Sequence, residues 1–112
     1  MTTAAAALAA VTAMAAPAQA AEVHKIYATH NGVIKAWATW EGGGIDQLCA
    51  NLVAGYSATA TINGNSVTDY SDDGSKKCIW VNNTTNGNWY TAKIIWQGTG
   101  GATETGSTLV QS

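Results

Sequence analysis

Two histidines, His24 and His30, are the residues that first suggest catalysis or metal binding. Together with Glu41 and the lysines they offer the acid, base and cation that a nuclease needs. Residues six positions apart on one continuous strand lie about 20 Å apart, however, so the two imidazoles cannot share a metal ion. The chain also has no arginine to hold a phosphate group through two parallel hydrogen bonds. We therefore interpret both as surface histidines and predict neither a nuclease nor a metal site.

The remaining polar clusters do not predict an active site either. The acidic run at residues 72–75 offers about three or four oxygens where calcium takes about 6 to 8, so we interpret it as a turn. No Gly-x-Ser-x-Gly motif is present. Glu22, Glu41 and Glu104 lie in terminal or glycine-rich segments, which are poor mounts for a pair of catalytic acids. The net charge of -2 gives the domain no electrostatic attraction for nucleic acid. Together with the missing motifs, this predicts no enzyme, no cofactor and no nucleic-acid partner.

Aromatic side chains are the one clear enrichment, with five tryptophans, four tyrosines and no phenylalanine. Trp and Tyr combine an apolar body with a polar tip, which suits them to interfaces and to sugar rings. In a chain without phenylalanine, tryptophan must also fill the core. Alternation predicts four core aromatics, Trp40, Tyr56, Tyr90 and Trp96, and the short continuous apolar run at residues 78–81 predicts a fifth, Trp80, in a central strand.

Two other tryptophans are predicted to face solvent, because each shares a strand face with a lysine. Trp37 alternates with Lys35, and Trp89 alternates with Lys93. An exposed indole leaves apolar surface in water at a cost of about 25 cal/mol per Å², so we expect a cover. The cover is the glycine-rich tail from Gly98 onward, a protein partner or a stacked ligand ring. Our hypothesis is a binding face that uses these two tryptophans and two lysines for an unidentified carbohydrate or protein ligand.

The charged part of the chain is predicted to be β throughout. Segments rich in Val, Ile, Thr, Tyr and Trp alternate with period two and are separated by Gly and Asn clusters. Asn31-Gly32 supplies two residues that tolerate the positive φ of a tight hairpin turn. Residues 45–53 would also suit a short helix, but we favour a strand that places Cys49 to tie two sheets. The count of six to seven strands predicts an all-β antiparallel sandwich or small barrel.

Residues 1–20 are predicted to be a cleavable signal peptide that precedes a single secreted domain at residues 21–112. They are uncharged and alanine-rich, and Pro17 interrupts the apolar stretch just before the small-x-small site at residues 18–20. No Lys or Arg precedes that stretch, which indicates a true start further upstream. The alternative is an alanine-rich helix that belongs to the fold. After the leader, no apolar run approaches the ~18 residues of a membrane span.

Secretion would place the two cysteines in an oxidising compartment, where a small domain gains from a disulfide. Cys49–Cys78 is the one possible intramolecular pair. It closes a loop of about 30 residues, which the chain-entropy model values at roughly 3 to 4 kcal/mol. The alternative is a pair of free thiols, but neither cysteine lies in a CxxC motif.

The layout as a whole resembles that of the small secreted one-disulfide β-proteins of actinobacteria. The likeness rests on the alanine-rich leader, the β-forming residues 21–112, one cysteine near the middle and a second in Lys76-Lys77-Cys78-Ile79. It implies secretion and an all-β fold, and it implies no catalytic residue. The chain is also similar in size to the microbial amylase inhibitors. It lacks their Trp-Arg-Tyr triplet and their second disulfide, so that function does not carry over.

These observations predict a secreted, monomeric, non-enzymatic binding or surface-associated protein with one disulfide. The first alternative is a secreted inhibitor or antagonistic toxin that acts on another protein. Such a protein should present one rigid exposed loop, and residues 82–88 are the best candidate. A small secreted hydrolase is the less favoured alternative, and a buried histidine–carboxylate contact lining a cleft would support it.

Processing of the leader gives the first test. Signal peptidase cleaves after a small-x-small site, so the secreted protein is expected to begin at Ala21 or Glu22. Intact-mass spectrometry of the protein from culture medium measures this directly. A secreted protein that retains residues 1–20 would contradict the prediction and would make the leader part of the fold.

Overall fold

The computed structural model describes residues 23–112, which form eight β-strands and no helix. The predicted signal peptide lies outside the described residues. The strands are β1 Val23–His30, β2 Val33–Glu41, β3 Gln47–Leu52, β4 Ser57–Ile62, β5 Asn65–Asp69, β6 Lys77–Trp80, β7 Trp89–Gln97 and β8 Thr103–Gln111. Residues 45–53 therefore contain a strand, as the sequence favoured, rather than a short helix.

The strands form two four-stranded antiparallel sheets packed face to face. Sheet A has the order β1-β2-β3-β6, and sheet B has the order β5-β4-β7-β8. This arrangement confirms the predicted all-β antiparallel sandwich. The eighth strand exceeds the predicted count because β8 pairs with β7 along its whole length, from Trp89↔Gln111 to Gln97↔Thr103. Its composition, rich in Gly and Thr, had predicted at most a short edge strand.

The core between the sheets combines small and large apolar side chains. Seven buried alanines contribute to it: Ala28, Ala36, Ala38, Ala50, Ala58, Ala60 and Ala92. Its largest side chains are two indoles, Trp40 near one end of the sandwich and Trp96 near the other. The Trp40 indole N–H donates to the Gln111 carbonyl at 3.0 Å, and that of Trp96 donates to the Ala54 carbonyl at 2.6 Å. Both rings are thus buried with their polar atom satisfied.

Strand β8 passes β1 at backbone contact distance. A Cβ atom at Gly106 would overlap the carbonyl oxygen of Tyr27 and press on the Ile94 side chain. Gly42 is confined in the same way against the carbonyl oxygen of Gln111. At these points backbone packs on backbone, and protein interiors of this density leave no space for an added methyl group.

A carboxyl group is completely buried where β3 and β5 meet. Asp69 accepts hydrogen bonds from the backbone amides of Leu52 at 2.9 Å and Ser71 at 3.1 Å. The two bonds use different carboxyl oxygens, so each oxygen has a partner. Because Leu52 ends β3 and Asp69 ends β5, this side chain joins sheet A to sheet B. The hydrogen bonds offset the cost of removing the group from water.

The predicted Cys49–Cys78 disulfide is present. It joins directly opposed residues of β3 and β6, whose Cα atoms are 4.0 Å apart. The bond therefore links neighbouring strands of sheet A, and the expectation that it would tie the two sheets together is wrong. Strand β6 is an edge strand of only four residues. Few ladder hydrogen bonds hold so short a strand, and the covalent link fixes its pairing with β3.

The predictions for core aromatics divide into two groups. Trp40 and Trp96 are confirmed as buried, and Tyr90 is half-buried. Trp80 and Tyr56 are 70% and 56% exposed, so their assignment to the core is wrong. Tyr56 precedes the first residue of β4 and therefore escapes the alternation that buries every second residue of that strand.

The exposure of Trp80 follows from the position of its strand. The apolar run at residues 78–81 is typical of a central strand buried on both faces, but β6 lies at the edge of sheet A. Ile79 pairs with the buried Leu48 and so points inward, which turns Trp80 outward. One face of this short strand therefore presents an indole to solvent.

Because β8 lies so close to β1, a methyl group added at Gly106 is expected to destabilise the domain. Gly106→Ala is expected to lower the free energy of unfolding by about 1 to 3 kcal/mol, because the strands must separate to admit the side chain. Equilibrium unfolding in urea measures this change. Gly100→Ala is the matched control, since a Cβ there meets nothing within 4 Å. Equal effects of the two substitutions would show that this backbone contact does not limit stability.

Candidate functional site

The four residues predicted to form a binding face lie on opposite outer faces of the sandwich. Trp37 and Lys35 project from β2 on the outside of sheet A, whereas Trp89 and Lys93 project from β7 on the outside of sheet B. They do not come together, and one flat face cannot include them all. Alternation separates the inside of a sandwich from its outside, but it does not say which of the two sheets a strand joins.

Trp37 is already partly covered by its neighbours on β1. The Tyr27 ring meets the indole edge to face, with ring centroids 6.3 Å apart, and the Lys25 ammonium lies 5.6 Å from the indole centroid. Tyr27 is also the residue directly opposite Trp37 in the ladder between β1 and β2. The indole is half-buried as a result. Its cover comes from the same sheet rather than from the glycine-rich tail.

The two most exposed tryptophans stand at the two ends of one loop. Trp80 is 70% exposed and ends β6, and Trp89 is 61% exposed and begins β7. We call residues 80–89, which comprise both indoles and the segment between them, the tryptophan loop. It contains residues 82–88, the segment predicted to form a rigid exposed loop. The apolar run at residues 78–81 predicts a core position for Trp80, so the sequence pattern conceals the contribution of this residue to the loop.

The first half of the tryptophan loop is held against the turn between β4 and β5. The backbone carbonyl of Asn83 accepts a hydrogen bond from Asn63 Nδ2 at 3.0 Å, and its side-chain oxygen accepts one from Asn65 Nδ2 at 2.7 Å. The Asn83 Nδ2 in turn donates to the Asn63 carbonyl at 3.2 Å. Asn63 adopts a positive φ of 47°, as an Asn-Gly turn requires. Three hydrogen bonds therefore fix Asn83 relative to this turn.

A buried polar cluster lies beneath the middle of the tryptophan loop. The Ser112 hydroxyl donates toward Asp46 Oδ1 at 3.0 Å and toward the Thr84 hydroxyl oxygen at 2.9 Å, so its one proton is shared between two acceptors. The Thr84 oxygen also lies 3.4 Å from Asp46 Oδ2. Asp46 and Ser112 are both buried. Because their polar atoms satisfy one another, the cluster holds Thr84 without leaving an unpaired buried group.

The second half of the tryptophan loop is bound to the end of β8 and to β7. The Gly87 amide donates to the Ser112 carbonyl at 2.9 Å, and the Gly87 carbonyl accepts from Gln111 Nε2 at 2.7 Å. The Thr85 amide donates to the Tyr90 hydroxyl oxygen at 2.9 Å. This hydrogen bond lowers the pKa of Tyr90, because it stabilises the ionised oxygen. The loop is thus hydrogen-bonded along its length, while most of its residues remain exposed.

The two histidines lie at opposite ends of β1. His30 Nδ1 lies 2.7 Å from Glu104 Oε2, and the His30 ring packs on Trp96 with ring centroids 5.3 Å apart. The histidine and glutamate side chains are 32% and 37% exposed. His30 belongs to sheet A and Glu104 to sheet B, so the pair joins the sheets at the end remote from the tryptophan loop. Within residues 23–112, no group of three or more His, Cys, Asp or Glu is placed to hold a metal ion.

The acidic run at residues 72–75 forms a turn that uses one of its own carboxylates. Asp73 accepts hydrogen bonds from the Ser75 hydroxyl at 2.6 Å and from the Ser75 amide at 3.0 Å. These bonds to the ionised form lower the pKa of Asp73 to about 2. The geometry is that of an Asx turn, in agreement with the interpretation of this segment as an acidic turn.

No protein-family model, curated protein or solved structure matches this chain. The part of the chain that the structure describes contains no helix long and apolar enough to cross a membrane.

The hydrogen bond between Thr85 and Tyr90 predicts how one half of the loop is kept in place. Tyr90→Phe is expected to speed hydrogen exchange at the Thr85 amide, because it removes the oxygen that accepts that bond. Exchange rates measured by NMR test this, with the amide of Ile94 in the middle of β7 as the internal control. Unchanged exchange at Thr85 in the variant would show that Tyr90 does not hold the loop.

Proposed function

We propose that this chain is a secreted, non-enzymatic binding protein that contacts a protein partner through the tryptophan loop. The observation that carries the proposal is the exposure of Trp80 and Trp89 at the two ends of a loop that is hydrogen-bonded to the body of the domain. Large apolar rings beside polar groups on a folded surface are typical of interaction sites, and tryptophan is enriched among the residues that dominate binding energy.

The energetics explain why the order of the loop matters. If a partner covered about 100 Å² on each indole, the gain would be roughly 5 kcal/mol at about 25 cal/mol per Å². Association costs about 4 to 15 kcal/mol in lost translational and rotational freedom, before any loop is ordered. Two tryptophans alone therefore only begin to offset that cost. A loop that is ordered before the partner arrives adds contacts without a further loss of conformational entropy.

The composition of the loop favours a protein as the partner. Residues 80–90 carry no charge, and the side chains between the two indoles are Val, Asn and Thr with one Gly. Interface centres are depleted in charged residues and enriched in aromatic ones. Antibody loops likewise combine rigid aromatic anchors with Asn, Ser and Gly, whose polar groups adapt to the partner. Trp80 projects from the outside of sheet A and Trp89 from the outside of sheet B, so a partner that contacts both must be concave and must cap the end of the sandwich that carries the loop.

The rigidity of the tryptophan loop favours a second, narrower candidate function, the inhibition of an enzyme. A protein inhibitor inserts a preordered segment into a substrate cleft, and such complexes are among the tightest of their size. The hydrogen bonds at Asn83, Thr84 and Gly87 supply this order. An antagonistic toxin would use the same surface against a different target.

Secretion is part of the proposal. The disulfide supports it, because such bonds persist in oxidising compartments. The alanine-rich residues 1–20 and the resemblance to small secreted one-disulfide β-proteins point to the same compartment. Of the residues predicted to bind, Trp89 belongs to the tryptophan loop. Trp37, Lys35 and Lys93 lie outside it and stay predicted contacts of the outer faces.

Affinity capture tests the proposal. The immobilised wild-type domain is expected to retain a specific protein from culture medium, and a Trp80→Ala/Trp89→Ala variant is expected to lose it. Calorimetry with the purified partner should then show binding weakened by at least about 100-fold, since tryptophan hot spots each contribute about 2 kcal/mol or more. Val33→Ala is the matched control, because Val33 is 54% exposed and pairs with His30 at the end of the sandwich remote from the tryptophan loop.

The comparison of variants also separates binding from folding. All variants should melt within a few degrees of the wild type, because every substituted side chain is largely exposed. Wild-type affinity in the double tryptophan variant would refute the proposed function. Equal losses in the tryptophan and valine variants would refute it as well. If the partner is an enzyme whose activity is unchanged in the complex, the inhibitor function fails and the binding function stands.

A further inference from the structure

A shallow cleft lies beside the turn between β7 and β8, at the end of the sandwich remote from the tryptophan loop. It has a volume of about 190 Å³ and is lined by Tyr56, Gln97, Gly98, Gly101, Ala102 and Thr103. Strand β7 has nine residues, so about 30 Å separates this end from the other at about 3.3 Å per residue. The proposed function makes no use of this cleft.

The floor of the cleft is fixed by the core. Gly98 rests on the buried ring of Trp96, where a Cβ atom would come within 2.7 Å of Cη2. The turn above it is closed by two backbone hydrogen bonds, from the Gly98 amide to the Ala102 carbonyl at 2.8 Å and from the Gly101 amide to the Gly98 carbonyl at 3.3 Å. The cleft therefore exists before any ligand arrives, and binding needs little reorganisation.

Tyr56, one of the residues that line the cleft, carries an exposed aromatic ring. Tyr56 is 56% exposed, and its backbone amide donates to the Gln97 carbonyl at 2.8 Å, which ties it to the end of β7. The ring of Tyr70 meets the Tyr56 ring edge to face, with centroids 5.7 Å apart and an interplanar angle of 70°. This contact restrains the Tyr56 ring, which lies beside the cleft and remains accessible to a flat apolar surface.

The polar groups of the cleft are uncharged, and one of them, the Gln97 carboxamide, is held in place by a hydrogen bond. Gln97 Oε1 accepts a hydrogen bond from the Ser57 hydroxyl at 3.2 Å, which orients the carboxamide. Its Nε2 donates to no other group within residues 23–112, so two N–H groups are available to a ligand. The Thr103 hydroxyl offers a further donor and acceptor. No lining residue is acidic or basic, so the cleft provides no counter-charge for a phosphate, a carboxylate or an ammonium group.

We propose that this cleft binds one neutral sugar ring of a saccharide. A pyranose presents an apolar C–H face to an aromatic ring and hydroxyl groups at its edge to amide and hydroxyl partners, which are the groups that the cleft combines. Its volume is below the roughly 300 to 1,000 Å³ of pockets that enclose drug-sized ligands, so it accommodates a single ring. The inference goes beyond the proposed function, because it adds a second ligand at the opposite end of the domain.

An NMR titration of the ¹⁵N-labelled domain tests the proposal. The probes are glucose, galactose, mannose and N-acetylglucosamine, together with their neutral disaccharides. At least one is expected to shift the side-chain amide of Gln97 and the backbone amides of Gly98, Gly101 and Thr103, with a Kd in the millimolar range. The amides of the tryptophan loop should not respond. A disaccharide should bind no more than a few-fold better than its monosaccharide, because only one ring enters the cleft.

Variants distinguish stacking from hydrogen bonding. Tyr56→Ala should weaken binding by at least about tenfold, whereas Tyr56→Phe keeps the ring and should bind as the wild type does. Gln97→Glu preserves the size of the side chain but removes both N–H donors, and it should abolish binding. Trp89→Ala is the control at the opposite end and should leave sugar affinity unchanged, so a failure of the protein-binding proposal leaves this one intact.

Several results would overturn the inference. One is the absence of any response at the cleft to every sugar of the panel. Another is wild-type affinity in Tyr56→Ala, provided that its spectrum matches the wild type away from the substituted residue. A proline-rich peptide that shifts the same amides when no sugar does would identify the cleft as a peptide site instead.

Discussion

The packing of the two sheets depends on two buried indoles, those of Trp40 and Trp96. Seven alanines and seven Ile, Leu or Val side chains line the space between the sheets, and at Gly106 the sheets meet through backbone alone. Trp40 and Trp96 fill that space at the two ends, and each satisfies its N–H with a backbone carbonyl beyond its own strand. Within residues 23–112 these two indoles are the aromatic rings of the buried core. The other tryptophans and tyrosines are accordingly placed at or near the surface, where they are available to partners.

Each buried indole also supports the surface at its own end. Trp40 donates to the carbonyl of Gln111, whose side chain donates to the Gly87 carbonyl of the tryptophan loop. At the other end, Trp96 carries Gly98, the floor of the sugar cleft, and packs against His30. Each candidate site is therefore in contact, directly or through one residue, with a buried tryptophan. The core thus helps to order the surface at both ends of the domain.

The sequence predicted what depends on local pattern. Period-two alternation identified the strands and the buried Trp40 and Trp96, and the presence of only two cysteines identified the disulfide. The core assignment failed for Trp80, because an apolar run does not reveal whether its strand is central or at an edge. Lys76 and Lys77 carried the missing signal, since lysines beside a short strand are typical of an exposed edge. The separation of Trp37 from Trp89 depends on which strands pair, and alternation contains no such information.

The position of the disulfide on an edge strand has a consequence for self-association. Strand β6 is short, and two consecutive lysines lie at its start. While it stays in place, it pairs with the edge of β3 that would otherwise be the open edge of sheet A. If the cross-link were reduced, the release of four residues would uncover β3, a longer strand with a buried, apolar register. An uncovered edge of this kind is a template for pairing with a second chain. Oxidation thus guards the edge of sheet A against polymerisation.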